Sequence, residues 1–263
     1  MKRVVSILTL AGAALTLLVA AAAADTFVGT DGSERLQGTG APDQLYGEGG
    51  NDELVGLGGS DYLEAGPGND SVDGGSGLDL IIGGTGDDSI DGGGGRDQVY
   101  AGAGDDQVLG GQGGDTLFGQ DGSDRLLGGP GADRLYASGG EDYVDGGSGD
   151  DSLYSNGAGI TLLGGGGDDV VIATHGPVTV EGGSGNDRIR TGGGADHVSG
   201  GSGQDSIATG KGSDQIDSLD GRRDRVNCGL GKHDELVKDS FDIAIGCERQ
   251  SHGDAQGPLR RFR

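Results

Sequence analysis

Aliphatic residues recur along this chain at an interval that fits neither an amphipathic helix nor an ordinary alternating strand. From Gly29 to Asp217 the sequence divides into 21 consecutive nonapeptides without insertion or deletion. The eighth position is aliphatic in every unit, from Leu36, Leu45 and Leu54 to Val198, Ile207 and Ile216. The sixth is Asp in 18 units, Glu34 in one, and apolar only at Ile160 and Val178. The fourth is Gly in 19, with Ala41 and Ala158 as the exceptions. Self-similarity at a fixed period marks a repeat architecture, in which each unit packs only on its neighbours.

A period of eighteen lies inside the period of nine. The first position is Gly in all ten even-numbered units, from Gly38 and Gly56 to Gly200. Odd-numbered units often carry a residue with a side chain there: Ala65, Ala101, Ala137, Ser155, Ala173, Thr191 or Thr209. Alternate units therefore occupy different environments, as they would with two units per turn. Two short strands per coil predict two parallel sheets back to back, with unit n stacked on unit n+2. The eighth residue then points inward and the seventh and ninth point out, because strand side chains alternate.

Composition changes this picture in one respect. The chain has 63 glycines among 263 residues, no tryptophan and a net charge of −25. Low hydrophobicity with high charge leaves too little apolar surface for an ordinary core, so a conventional globular enzyme is not expected. Collagen is excluded because glycine does not recur at every third residue. The acids need another explanation, and their period supplies it. Stacked coils place one sixth-position Asp over the next at about 4.8 Å, where carboxylates repel unless a cation lies between them. Each is preceded by a glycine turn such as Gly74-Gly75-Ser76-Gly77-Leu78-Asp79 or Gly146-Gly147-Ser148-Gly149-Asp150-Asp151. Glycine permits the tight positive-φ turns that bring carbonyls together. Carboxylate and carbonyl oxygens in a loop suit Ca²⁺. A merely solvated acidic face would carry no such period.

In these residues the chain resembles the hemolysin-type calcium-binding repeats, the RTX nonapeptide family, and within it the small stand-alone secreted bacterial members. The resemblance spans residues 29–217. It implies an all-β, right-handed parallel β-roll solenoid with Ca²⁺ held in the turns, the sixth-position Asp giving carboxylate oxygen and the loops giving carbonyls. The implied ligands at the even-unit turns are Asp43, Asp61, Asp79, Asp97, Asp115, Asp133, Asp151, Asp169, Asp187 and Asp205. At the odd-unit turns they are Asp52, Asp70, Asp88, Asp106, Asp124 and Asp142, then Asp196 and Asp214 beyond the break at Ile160 and Val178. Nine stacked pairs on the even side and six on the odd side predict about fifteen ions. The two sides are thus expected to be unequal, and a polar change at Ile160 is expected to cost less calcium and less stability than Asp115→Ala.

The ends read differently. Lys2 and Arg3, an apolar run from Val4 to Val19 and Ala22-Ala23-Ala24 fit a secretory signal peptide over 1–24, with a membrane anchor as the alternative. Residues 25–28 form a lead-in. After Asp217 the frame slips, and 218–250 is expected to be a C-terminal cap in which Asp224-Arg225-Val226 and Asp234-Glu235-Leu236 repeat the theme at spacing ten. Cys228 and Cys247 are the only cysteines and read as one disulfide in a secreted chain, two free thiols or a two-cysteine metal site being the alternatives. Residues 251–263, with Arg260, Arg261 and Arg263, read as a disordered basic tail.

No His-Glu-x-x-His or Gly-x-Ser-x-Gly occurs and the four histidines are scattered, so no catalysis is expected. Neither a nucleic-acid partner nor a membrane span is expected. One outward column is unusual: the ninth positions of even units read Ile82, Tyr100, Phe118, Tyr136, Tyr154 and Ile172 in successive coils. Tyr100, Phe118, Tyr136 and Tyr154 either stiffen an exposed sheet or form a contact face for another copy, a glycan or a protein. The sequence therefore predicts a secreted, extracellular calcium-binding repeat protein acting as a structural or interaction module. Its alternatives are an adhesion platform built on the aromatic column and, remotely, an accessory module of a secreted enzyme or toxin system.

Overall fold

The computed structural model describes residues 3–6 and 24–253. Most of the segment read as a signal peptide (7–23) and of the basic tail (254–263) lies outside the described residues. The chain winds into an all-β parallel solenoid of about 13 turns, with no helix among the described residues. Strands of the even-numbered units, such as Tyr62–Pro67, Leu80–Thr85 and Gln98–Ala103, form one sheet. Strands of the odd-numbered units, such as Ser71–Asp73, Ser89–Asp91 and Gln107–Leu109, form the other. The backbone of Arg3–Ser6 pairs in parallel with Asp25–Val28 at the N-terminal edge of the first sheet.

Register follows the period. Leu63 pairs with Ile81 and Ile81 with Val99 on one sheet, and Val72 with Ile90 and Ile90 with Val108 on the other, each offset by one 18-residue coil. The eighth-position aliphatics are all buried, and Leu36, Leu45, Leu54, Ile81, Leu117 and Leu153 are wholly inaccessible. The first-position Ala65, Ala101, Ala137 and Ala173 join them from the even-unit sheet. Facing residues on the other sheet are the invariant glycines, so the core is one layer of side chains thick. This difference between the sheets is the origin of the eighteen-residue period.

The frame slip is absorbed in loops while the strands continue to stack. Ile207 pairs with Val226 and Ile216 with Leu236, at offsets of 19 and 20 residues in place of 18, and Val226 and Leu236 remain buried. Two further strands, Ile243–Ile245 and Arg249–His252, close the described chain. Cys228 and Cys247 form a disulfide with Cα atoms 5.1 Å apart, and Cys228 is buried in the core. The bond ties the last coils together across 19 residues. Replacing both cysteines by serine is expected to lower the stability of the folded chain by about 3 kcal/mol, the loop-closure value for a span of this size. Denaturant melts of the two forms under calcium check it; superimposable curves would assign the bond no stabilising role.

Candidate metal centre

Every sixth-position aspartate enters its strand directly after a glycine turn, and its carboxylate folds back beneath that turn. At the even-unit corner the N–H of Asp43 donates to Oδ1 of Asp61 at 2.7 Å, and that of Asp61 to Oδ1 of Asp79 at 2.8 Å. The same bond then runs through Asp97, Asp115, Asp133, Asp151, Asp169 and Asp187 to Asp205. At the odd-unit corner it joins Asp52, Asp70, Asp88, Asp106, Asp124 and Asp142. It breaks at Ile160 and resumes where the N–H of Val178 donates to Asp196, itself followed by Asp214.

The second oxygen of each carboxylate has no partner. Among these aspartates, Oδ2 is buried and unbonded in all but Asp43, whose Oδ2 accepts from the Thr39 N–H and hydroxyl. Burying one unpaired carboxylate is costly, and two files of them call for cations. The turns supply further oxygen. A Cβ on Gly74 would lie 2.9 Å from Asp79 Oδ2, so the first-position glycine leaves the carboxylate its space. Gly77 has φ of 151°, and a Cβ there would overlap the carbonyl oxygen of Gly59 one coil earlier. Turn carbonyls therefore stack coil over coil beside the carboxylates. Among the described residues no three His, Cys, Asp or Glu side chains converge on one point. A cation here would take carboxylates from stacked coils and complete its shell with backbone carbonyls, an all-oxygen set that suits a hard ion.

Proton affinity reports the same strain. Burial raises the carboxyls of Asp52, Asp106, Asp133, Asp142 and Asp169 from 3.8 to about 6. It pushes Asp61, Asp88, Asp97, Asp151 and Asp187 to about 7. The N–H from the preceding coil opposes the rise, and nearby carboxylates add to it.

The structure brings all 18 predicted aspartates into these two files. It also extends the files beyond them. Asp25 donates to Asp43 at one end, while Asp205 donates to Asp224 and Asp214 to Asp234 at the other, and Oδ2 of Asp25, Asp224 and Asp234 is likewise buried without a partner. Asp224 and Asp234 were visible as Asp-x-aliphatic motifs, but the altered spacing hid their alignment. The even file ends on Asp242, whose carboxylate is fully satisfied by the Asp224 and Asp239 N–H groups and the Ser218 hydroxyl. Lys238 stands beside it in a first position normally held by glycine. Its buried ammonium donates to the carbonyls of Asp239 and Asp242, both at 3.3 Å.

A second set of ladders, outside the first, went unread. Oδ1 of the fifth-position Asn51, Asn69 and Asp87 accepts from the N–H one coil later, and Asp150 and Asp168 do the same at the other corner. Recurrence of Asn and Asp at position five was the available signal. Ile160 and Val178 pair with each other and are buried, Ile160 completely. A polar residue at Ile160 would therefore give up core packing, a cost to be set against the expectation that it loses less stability than Asp115→Ala.

Comparison with known proteins comes to one family. The RTX calcium-binding nonapeptide repeat (4 copies) matches residues 28–63, 55–90, 82–117, 118–153 and 181–216. The stretch left between the last two matches contains Ile160 and Val178. No curated protein matches the chain. With more than half of its length matched, and with carboxylates and turn carbonyls filed along both corners of a parallel solenoid, this chain belongs to the RTX calcium-binding nonapeptide repeat family.

Proposed function

We propose that this chain is a secreted, non-catalytic β-roll that folds as Ca²⁺ fills its two corners, and that outside the cell it serves as a structural or interaction module. The observation that carries the reading is the file of buried, unpartnered Oδ2 atoms at each corner. In this reading the ligands are the eighteen sixth-position aspartates from Asp43 to Asp214, with Asp25, Asp224 and Asp234 lengthening the files, and about fifteen or more ions fill the roll. The ion supplies positive charge between carboxylates that otherwise repel; the glycine turns supply carbonyls and leave the carboxylates room.

Secretion is supported by the disulfide, which persists in oxidising compartments, and by the basic and apolar N-terminal residues. A chain made in low cytosolic calcium would stay unfolded until export. Calcium stoichiometry tests the ligand assignment. Asp115→Ala is expected to lose one to two ions by equilibrium dialysis, since its carboxylate lies between two neighbours in the file. Ile160→Ser is expected to leave stoichiometry unchanged while costing on the order of 3 kcal/mol as a core truncation. Unchanged binding in Asp115→Ala would overturn the assignment.

A second reading, a contact platform, rests on the outward aromatic column. Tyr100, Phe118, Tyr136 and Tyr154 stack face to face, with centroids 4.6 to 4.9 Å apart and planes within 12°. Their faces cover one another, so edges and hydroxyls point outward. That disfavours a sugar, which needs an open ring face, and favours a flat protein surface.

A further inference from the structure

The two outer faces of the roll are chemically unlike. On the odd-unit sheet the seventh and ninth positions carry acids in six of the eleven units, namely Glu53, Asp73, Asp91, Asp145, Glu181 and Asp217. On the even-unit sheet the same positions carry no acid from Leu80 to Asn227, in a chain with 43 of them. Along its middle this acid-free face is a half-buried apolar and aromatic ninth-position column beside a polar seventh-position column that includes the exposed Arg134, and at one end it carries the exposed Arg188 and Arg190.

Its residues also run in mirror order about a midpoint between Phe118 and Tyr136. Outward from there the ninth-position column reads Phe118, Tyr100, Ile82, Glu64 in one direction and Tyr136, Tyr154, Ile172, Arg190 in the other. Aromatic answers aromatic, Ile82 answers Ile172, and Glu64 answers a residue of opposite charge. The seventh-position column matches only at its outer places, where Leu80 stands as far from the midpoint as Val170 and Tyr62 as far as Arg188; nearer the axis Gln98 answers Ser152 and Thr116 answers Arg134, polar residues throughout. Glu64 is held in place by the Tyr62 hydroxyl, which donates to Oε2 at 2.6 Å. Arg188 and Arg190 are exposed and make no ion pair among the described residues.

We propose that this face pairs with the same face of a second copy, the two solenoids antiparallel about a two-fold axis lying along the strand direction between the Phe118 and Tyr136 coils. Such a half-turn reverses the order of the coils but keeps seventh positions opposite seventh and ninth opposite ninth. Ile82 and Leu80 of each copy then meet Ile172 and Val170 of the other, and Tyr62 and Glu64 meet Arg188 and Arg190. An isologous contact requires this self-complementarity, in which i meets j and j meets i. Eight coils at about 4.8 Å, two columns wide, bury roughly 500 Å² per copy, at the lower edge of a stable interface. Pairing needs the folded roll, and the net charge of −25 opposes it until cations fill the corners. The dimer thus rests on the calcium reading above and deepens its interaction role.

Charge exchange tests the geometry. Sedimentation velocity on the full chain in calcium is expected to show a dimer. Glu64→Arg and Arg190→Glu are each expected to weaken it about tenfold or more by setting like charges opposite one another at both ends. The double variant, with the charges exchanged, is expected to dimerise again. Arg188→Glu gives a further single exchange that leaves the Tyr62–Glu64 contact alone. Circular dichroism on the same samples separates the two readings. A wild-type chain that is β-rich in calcium yet monomeric at tens of micromolar overturns the dimer and leaves calcium folding standing, whereas absence of β structure in calcium overturns the folding. A dimer indifferent to every single exchange uses another surface. Loss without recovery in the double variant rejects the antiparallel pairing.

Discussion

Chelating calcium is expected to convert the β-sheet spectrum of this chain to that of a disordered one, in a single cooperative step. The reason lies in how little else holds the roll. Each nonapeptide buries one aliphatic side chain, in a core a single layer thick, against the conformational entropy of nine glycine-rich residues. All but the units of Glu34, Asp43, Ile160 and Val178 also bury a carboxylate whose inner oxygen has no partner, stacked on carboxylates of neighbouring coils. Without a cation those terms are repulsive; with one, desolvation is answered by coordination, and binding free energy becomes folding free energy. Shared ligands between successive coils make the transition cooperative. Mg²⁺ is not expected to restore the fold, because it demands compact octahedral geometry and gives up water reluctantly, whereas a shell drawn from carboxylates of stacked coils and turn carbonyls suits the larger, more flexible coordination of Ca²⁺. Titration of Ca²⁺ and Mg²⁺ into chelated protein, followed by circular dichroism, checks both halves. A chelated chain that keeps its β spectrum would sink the proposal.

Acid should act on the metal-free chain in the direction opposite to ordinary acid denaturation. In the folded roll without metal, burial and neighbouring carboxylates raise Asp61, Asp88, Asp97, Asp151, Asp187 and Asp224 to about 7, against 3.8 for an ordinary aspartate. Between these values the folded chain binds more protons than the unfolded one. Stability therefore falls as pH rises through the window and is recovered as pH drops. Each proton removes a charge from the files, as a cation would. Chelated protein, disordered at neutral pH, is expected to gain β structure as pH falls from about 7 toward about 4, with no further gain once the unfolded aspartates are also protonated. In calcium the sign reverses, because protons compete with the ion for the same carboxylates, and apparent calcium affinity should fall over the same range. Circular dichroism against pH, with chelator and with calcium, reads both. A metal-free chain that stays disordered throughout would show that charge relief alone does not compensate the lost coordination.

The sequence by itself determined the parallel solenoid, the two strands per coil, the inward aliphatics and the aspartate files from Asp43 to Asp214. The physical reason is translational repetition. When each coil touches only its neighbours, every coil needs the same residues at the same offsets, and the requirement appears as a period. Wherever repetition lapses, the tertiary structure had to decide. Asp224 and Asp234 rejoin the files because loops absorb the extra residues while strands keep stacking, and no fixed offset predicts that. Lys238 takes a glycine position and turns its ammonium onto two carbonyls, a contact set by backbone direction in a turn with no counterpart elsewhere in the roll. Which carboxylate oxygen accepts an N–H and which lies bare follows from how each aspartate folds under its glycine turn. Composition held the aromatic column, but only the stacked rings show that their faces are covered and their edges free. The mirror order from Glu64 to Arg190 becomes a surface once register sets the seventh and ninth columns side by side, because residues eighteen apart in sequence are neighbours only in space.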